Sequence, residues 1–191
     1  MIDPERELVI VAPPRCGSHS VEAVLLPEFG KRIGFRHLPL PVIHEGYPYT
    51  REWRTAILVR NPRARLWSLY HYCQRYTGSL LNETTMHVKS FSDFESFVLR
   101  GDFQKLADEP LASDRGINVW PMSHYDPYED AVPIHLENLR HDLSLFVGHW
   151  VEVPHLHRTP PKWKQPKWTL EMLDRVAQEF KEDFRRYGGA P

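Results

Sequence analysis

The sequence predicts an α/β fold: a single domain over residues 1–191, with a mainly parallel sheet flanked by helices. Three observations carry that expectation. Short apolar runs rich in β-branched residues recur, at Leu8-Val9-Ile10-Val11-Ala12, at Thr55-Ala56-Ile57-Leu58-Val59, and from Ala131 to Leu136. Each is followed by a segment of helical character, and strands alternating with helices build an open sheet with helices on both faces. No internal repeat, low-complexity tract or linker interrupts the pattern, and 191 residues suffice for one well-buried core.

The elements follow in order. Leu8–Ala12 is bounded by Pro13-Pro14 and reads as a buried parallel strand. The small-residue loop Pro14–Ser20 leads into Val21-Glu22-Ala23-Val24-Leu25-Leu26, a predicted helix stopped by Pro27. Strand, loop and helix in this order are the layout of a phosphate-binding first βα unit. Arg32 to Arg36 is a weaker strand candidate. After the strand Thr55–Val59, Asn61 is suited to cap a helix and Pro62 to open it, with the helix carrying Ala64 to about Tyr76. Ser92-Asp93-Phe94-Glu95 has the pattern of a capping box before a short helix through Leu99. Residues 101 to 130 are rich in Asp, Pro and Ser and predict no regular element. A helix is expected from about Asn138 to Val147. Leu170, Leu173, Val176, Ala177, Phe180, Phe184 and Tyr187 recur at steps of three and four, which predicts one final helix ended by Gly188.

Composition narrows the function classes. Hydrophobic residues make up 41% and charged residues 26%, ordinary for a soluble globular protein, and the formal net charge of −1 argues against a dedicated binder of nucleic acid or anionic membrane. An anion site here has to be built from a few local basic groups. Cys16 and Cys73 form no metal-type or redox-type pair, so a reducing, cytoplasmic setting is expected, without a disulfide framework. The acidic N-terminus lacks a secretory apolar region, and no stretch approaches the roughly 18 apolar residues needed to span a bilayer. Oligomeric state is not readable.

Three segments carry chemistry. In the loop Pro14 to Ser20, small residues let backbone N–H groups converge on an anion, with the macrodipole of the next helix adding attraction. Ser18, His19 and Ser20 add side-chain donors, and Arg15 can pair with a phosphate or sulfate oxygen. A plain βα turn fits the loop equally well when it is taken alone. The second segment runs from Arg60 to Ser68: Arg60 ends a buried strand, where ligands of open α/β sheets collect, and Ser68 lies about two turns into the following helix. Arg63 and Arg65 read as a basic helix face. The third is His37 in Arg36-His37-Leu38-Pro39, placed past a strand end where it can act as a base.

Arg15 to Ser20, His37-Leu38-Pro39 and Arg60 to Ser68 together resemble the three signature segments of the sulfotransferases that use 3′-phosphoadenosine 5′-phosphosulfate. Ile134-His135-Leu136-Glu137-Asn138-Leu139 with Asp142-Leu143 is similar to that family's late strand and helix start. Lys181-Glu182-Asp183-Phe184 with Tyr187-Gly188 is similar to its C-terminal helix. The resemblance covers nearly the whole chain in order and is nearest to the compact bacterial and carbohydrate-type branches. It implies that the first βα unit is P-loop-like and binds the 5′-phosphosulfate through Arg15, Cys16, Gly17, Ser18, His19 and Ser20. Arg60 and Ser68 would bind the 3′-phosphate, and His37 would be the catalytic base. Arg15 would stabilise charge on the leaving nucleotide, with no metal required. The partners implied are that nucleotide donor and a carbohydrate or small-molecule acceptor bearing a hydroxyl or amine.

The chain departs from the family pattern in places. Arg15 stands where the family has lysine, keeping the charge but removing easy proton transfer. His19 stands where threonine is common, and Ser20 replaces the tryptophan that stacks the adenine in the cytosolic branch. Arg158, Thr159, Lys162 and Lys164 form a basic late loop able to close over a nucleotide, or simply to be solvated. Tyr47, Tyr49, Trp120, His124 and Tyr125 are candidates for stacking on an acceptor ring, or ordinary packing. His155 and His157 lack a third metal ligand nearby and read as loop residues. Three rival readings stand beside the transferase one. A P-loop kinase would need the Gly-Lys-Ser/Thr ending that the loop lacks. A non-catalytic nucleotide-binding or interaction protein could keep the same fold. A cysteine phosphatase built on Cys16 would need an arginine where Glu22 stands.

Overall fold

The computed structural model describes residues 1–29, 37–76, 83–103, 120–154 and 166–188, with the side chains of 26–29 set aside. It is α/β, with one four-stranded mixed sheet among the described residues. The described chain forms two compact units, Met1–Arg60 with Met122–Arg158 and Asn61–Pro121 with Thr159–Pro191.

The first unit holds the sheet: β1 (Ile2–Asp3), β2 (Leu8–Val11), β3 (Arg54–Val59) and β4 (Val132–His135), in spatial order β1-β2-β3-β4. β2 and β3 run parallel with Val9 opposite Thr55 and Val11 opposite Ile57, and β3 and β4 run parallel with Val59 opposite His135. The short β1 pairs antiparallel with β2. Every residue of β2, and all of β3 after Arg54, is buried. Continuous apolar runs of this kind suit strands covered on both faces. β4 ends the described sheet and has Pro133 at its centre, where a missing N–H is tolerated at an edge.

Three helices accompany the sheet: α1 (Ser18–Phe29), α2 (Leu40–Gly46) and α6 (Leu139–Val147). α1 begins three residues earlier than the apolar run suggests, and it continues through Pro27 to Phe29. A proline costs a helix one hydrogen bond and a clash with the preceding turn, but it does not have to end it. The sequence signals missed α2 and the 3-10 turn Pro48–Glu52, because each is short and lies in a proline-punctuated stretch without clear apolar periodicity. Gly148, at φ 86°, closes α6 by donating its N–H to the Ser144 carbonyl.

The second unit is helical: α3 (Pro62–Arg75), α4 (Glu83–Lys89), α5 (Phe94–Arg100), α7 (Leu170–Glu179) and α8 (Lys181–Tyr187). The expected cap of α3 is present, Asn61 accepting the Arg63 N–H at 3.0 Å with Pro62 in the first turn. At α5 the cap is Asp93, which accepts from Ser96 N–H, while the Ser92 hydroxyl donates to the Asp93 carboxylate. The capping pattern is thus displaced by one residue from the predicted box. A carboxylate is the stronger acceptor for the first-turn N–H groups.

The single final helix of the sequence reading is two helices. Phe180, at φ −112° and ψ 26°, breaks the ladder between α7 and α8. Met172, Val176 and Phe180 are buried there, whereas Leu170 is 80% exposed. They join Leu66, Leu69, Cys73, Val88, Phe97 and Val98 in one apolar core, within which Tyr70, Phe94, Phe97 and Phe103 make edge and stacked contacts. The predicted strand 32–36 lies outside the described residues. No helix among the described residues is long and apolar enough to cross a membrane.

Candidate functional site

The site is built on the segment that leaves β2. The Cys16 N–H donates to the Pro13 carbonyl at 3.3 Å, and the N–H groups of Ser20 and Val21 donate to Gly17 O, which opens α1. Arg15 has φ 67° and Gly17 φ 89°, so the loop passes twice through the left-handed region within three residues. That region is nearly free for glycine but strained for an arginine, and such strain concentrates at sites where a backbone group has to be aimed. Glycine at 17 also has a packing reason: a Cβ there would lie 2.6 Å from Leu136 Cδ1.

Two side chains anchor to this segment from outside it. His37 Nδ1 lies 2.6 Å from the Ala12 carbonyl. A carbonyl only accepts, so Nδ1 carries the proton, and the lone pair of the neutral ring is on Nε2. His37 itself has φ 64°, a second strained non-glycine residue. Arg60, directly after β3, donates from Nη1 to the Arg15 carbonyl at 3.1 Å, while its backbone N–H approaches Met122 Sδ at 3.3 Å. His37, Arg15, the loop and Arg60 therefore meet at the carboxyl ends of β2 and β3.

The other residues singled out from the sequence fall as follows. Ser18 and Ser20 are buried, and half-buried His19 lies 3.9 Å from the buried carboxylate of Glu22. Cys16 is turned inward: its thiol is fully buried against Met122 Sδ at 3.7 Å, and its N–H is held by Pro13. Ser68 is buried on α3 in the helical unit. Arg65 is not on a solvated basic face but is 3% exposed, donating to the Trp120 carbonyl at 2.6 Å.

Neither a protein-family model, nor a curated protein, nor a solved structure matches the chain.

Among the acceptor-stacking candidates, Tyr125 is fully buried, its carbonyl taking the Leu40 N–H at 2.8 Å. Tyr49 is exposed and packs on Trp53 at 5.2 Å and Tyr47 at 6.1 Å, but Trp53 directly precedes β3. That cluster stands at the amino end of β3, roughly 23 Å of extended chain away from Arg60. His155, His157 and the basic residues 158–164 lie outside the described residues.

Sequence reasoning passed over two features of the site. Met122 puts its sulfur under both Cys16 and Arg60. A lone methionine in a loop-rich stretch carries no pattern by which to find it. The other is the set His135, His141 and Asp142. Asp142 accepts the His135 N–H at 2.9 Å and lies within hydrogen-bond distance of the Nδ1 atoms of both histidines, at 3.3 and 3.1 Å. Burial pushes the Asp142 carboxyl up, but hydrogen bonds from His141 and His135 outweigh it and hold the group below the usual carboxylate range.

Proposed function

We propose that the chain is a sulfotransferase that moves a sulfuryl group from 3′-phosphoadenosine 5′-phosphosulfate to a hydroxyl or amine of a carbohydrate or small-molecule acceptor. The observation that carries the reading is the convergence of His37 and Arg60 on the loop after β2, by bonds of 2.6 Å to Ala12 O and 3.1 Å to Arg15 O. The three segments whose order resembles that family are separated in sequence, and two of them are tied to the first by hydrogen bonds.

In this reading the first βα unit is the P-loop-like cradle. The first-turn N–H groups of a helix have no intrahelical acceptor, which makes the start of α1 suited to a 5′-phosphosulfate. The absence of a Cβ at Gly17 keeps the turn tight against Leu136. Arg15 would neutralise charge that develops on the leaving oxygen, and Arg60 would recognise the 3′-phosphate. His37 Nε2 would take the acceptor proton, an effect typically worth about 10²–10⁴-fold. Transfer of this kind is governed mostly by positioning and charge, and the residues named do both without a metal.

The test is a binding titration with 3′-phosphoadenosine 5′-phosphate beside ATP and 5′-AMP, with and without magnesium. The reading expects tight, metal-independent binding of the bisphosphate alone, and loss of turnover with retained binding in His37→Ala. Arg60→Ala should weaken the bisphosphate and barely change 5′-AMP. Preference for ATP with magnesium would refute the reading.

A further inference from the structure

The carboxyl end of β4 carries a second oriented imidazole that the mechanism above does not use. His135 closes β4 opposite Val59, the residue before Arg60, and its side chain is 36% exposed. Asp142 Oδ2 accepts its backbone N–H and lies 3.3 Å from its Nδ1. A carboxylate only accepts, so Nδ1–H faces Asp142 and Nε2 is the outer pole of the ring. A ring held at one nitrogen by an orienting carboxylate is the arrangement of an acid–base residue with its positioning partner.

Its position in the sheet gives this pair a direction. β3 lies between β2 and β4, so the ends of β2 and β4 stand about 10 Å apart, two interstrand spacings. Arg60 follows the strand between them. His37 is anchored to Ala12 at the end of β2, so its anchor point and the backbone of His135 flank the end of β3. Leu136, next after His135, lies against Gly17 and ties the end of β4 to the anion loop. An in-line transfer has its nucleophile on one side of the moving group and its leaving group on the other. Arg15 can stabilise charge on the leaving side but cannot release a proton, because a guanidinium stays protonated.

We infer that His135, positioned by Asp142, is the leaving-group acid of the transfer. The inference rests on the sulfuryl-transfer reading. As the acceptor oxygen bonds to sulfur, its proton passes to His37 Nε2. The sulfur–oxygen bond to the 5′-phosphate breaks, its electron pair stays on the phosphate oxygen, and that oxygen takes the proton from Nε2–H of the His135 imidazolium. Asp142 on α6 faces His135, and His141 meets the other oxygen of the same carboxylate, while Glu137 and Arg140 are the remaining charged residues of the segment between them.

The experiment uses the full chain as His135→Gln and Asp142→Asn, with bisphosphate affinity, melting temperature and the pH profile of kcat measured for each. His135→Gln should lower kcat by about a hundredfold and abolish the alkaline limb of the profile. Its bisphosphate Kd should stay within about threefold of wild type. Asp142→Asn should lower kcat while leaving the bisphosphate Kd within about threefold of wild type, a split between turnover and binding that a merely structural tie between β4 and α6 would not produce. If His135→Gln does not fold, His135→Asn takes its place. Unchanged kcat with the bisphosphate still bound would overturn the role of His135 alone, as would a loss of binding in proportion to kcat. Failure of the wild-type chain to bind the bisphosphate would overturn both readings.

Discussion

Gly17→Ala is the sharpest test of how the loop after β2 is held, because two separable costs meet at one methyl group. The first is conformational: at φ 89° an L-residue occupies the left-handed region, at about 1–2 kcal/mol. The second is steric. The new Cβ would lie 2.6 Å from Leu136 Cδ1, about 1 Å inside ordinary contact, so the leucine has to leave its rotamer at about 0.5–1.5 kcal/mol. Together the substitution should destabilise by about 2–3 kcal/mol in urea unfolding near 25 °C. Combining it with Leu136→Ala separates the two costs. The methyl would then meet Leu139 Cδ2 at 3.8 Å, an ordinary contact, while the backbone strain would persist. The double variant should therefore be about 1 kcal/mol more stable than additivity of the single variants. Strict additivity would refute the steric argument. A neutral Gly17→Ala would refute both arguments, and with them the strained loop geometry.

Asn61→Ala removes the acceptor for the Arg63 N–H at the start of α3 and should cost about 1 kcal/mol in the same unfolding assay. Burial, reinforced by Arg75, holds the His71 imidazole below its ordinary value of 6.5, among Trp67 and Tyr70. The unfolded chain then binds that proton more readily than the folded one. The His71 contribution is complete above about pH 6.5 and is lost as pH falls toward the folded value, so His71→Phe should flatten the loss of stability on the acid side. Cys16 and Cys73 are both fully buried thiols, so a thiol reagent should titrate them slowly in the native protein and both at once after unfolding.

Much of the first half of the fold was legible because its signals are local. Val9 to Val11 and Ala56 to Val59 are apolar without interruption, short and rich in β-branched residues, which suits a strand buried on both faces. Asn61-Pro62 announces α3 because capping is settled within three residues of chain. The long final helix was misread for a related reason. The spacing of Val176, Phe180 and Phe184 satisfies one helix as well as two, and the break at Phe180 is a backbone choice that periodicity does not register. Leu170 belongs to the periodic set, yet it stands in solvent at the first position of α7.

By itself the sequence determined β2, β3 and β4, the capped helices and the three segments that hold the candidate site, since each depends on neighbours along the chain. Tertiary structure alone decided what those segments do to one another. The bond from His37 to Ala12 spans 25 positions and that from Arg60 to Arg15 spans 45, separations at which no local pattern survives. It also turned Cys16 inward, buried Arg65 against the Trp120 carbonyl, and placed His135 across the end of β3 from His37. The physical reason is the same in each case. Parallel pairing of β2, β3 and β4 brings their carboxyl ends to one edge, so residues distant in sequence share an environment that only the pairing creates.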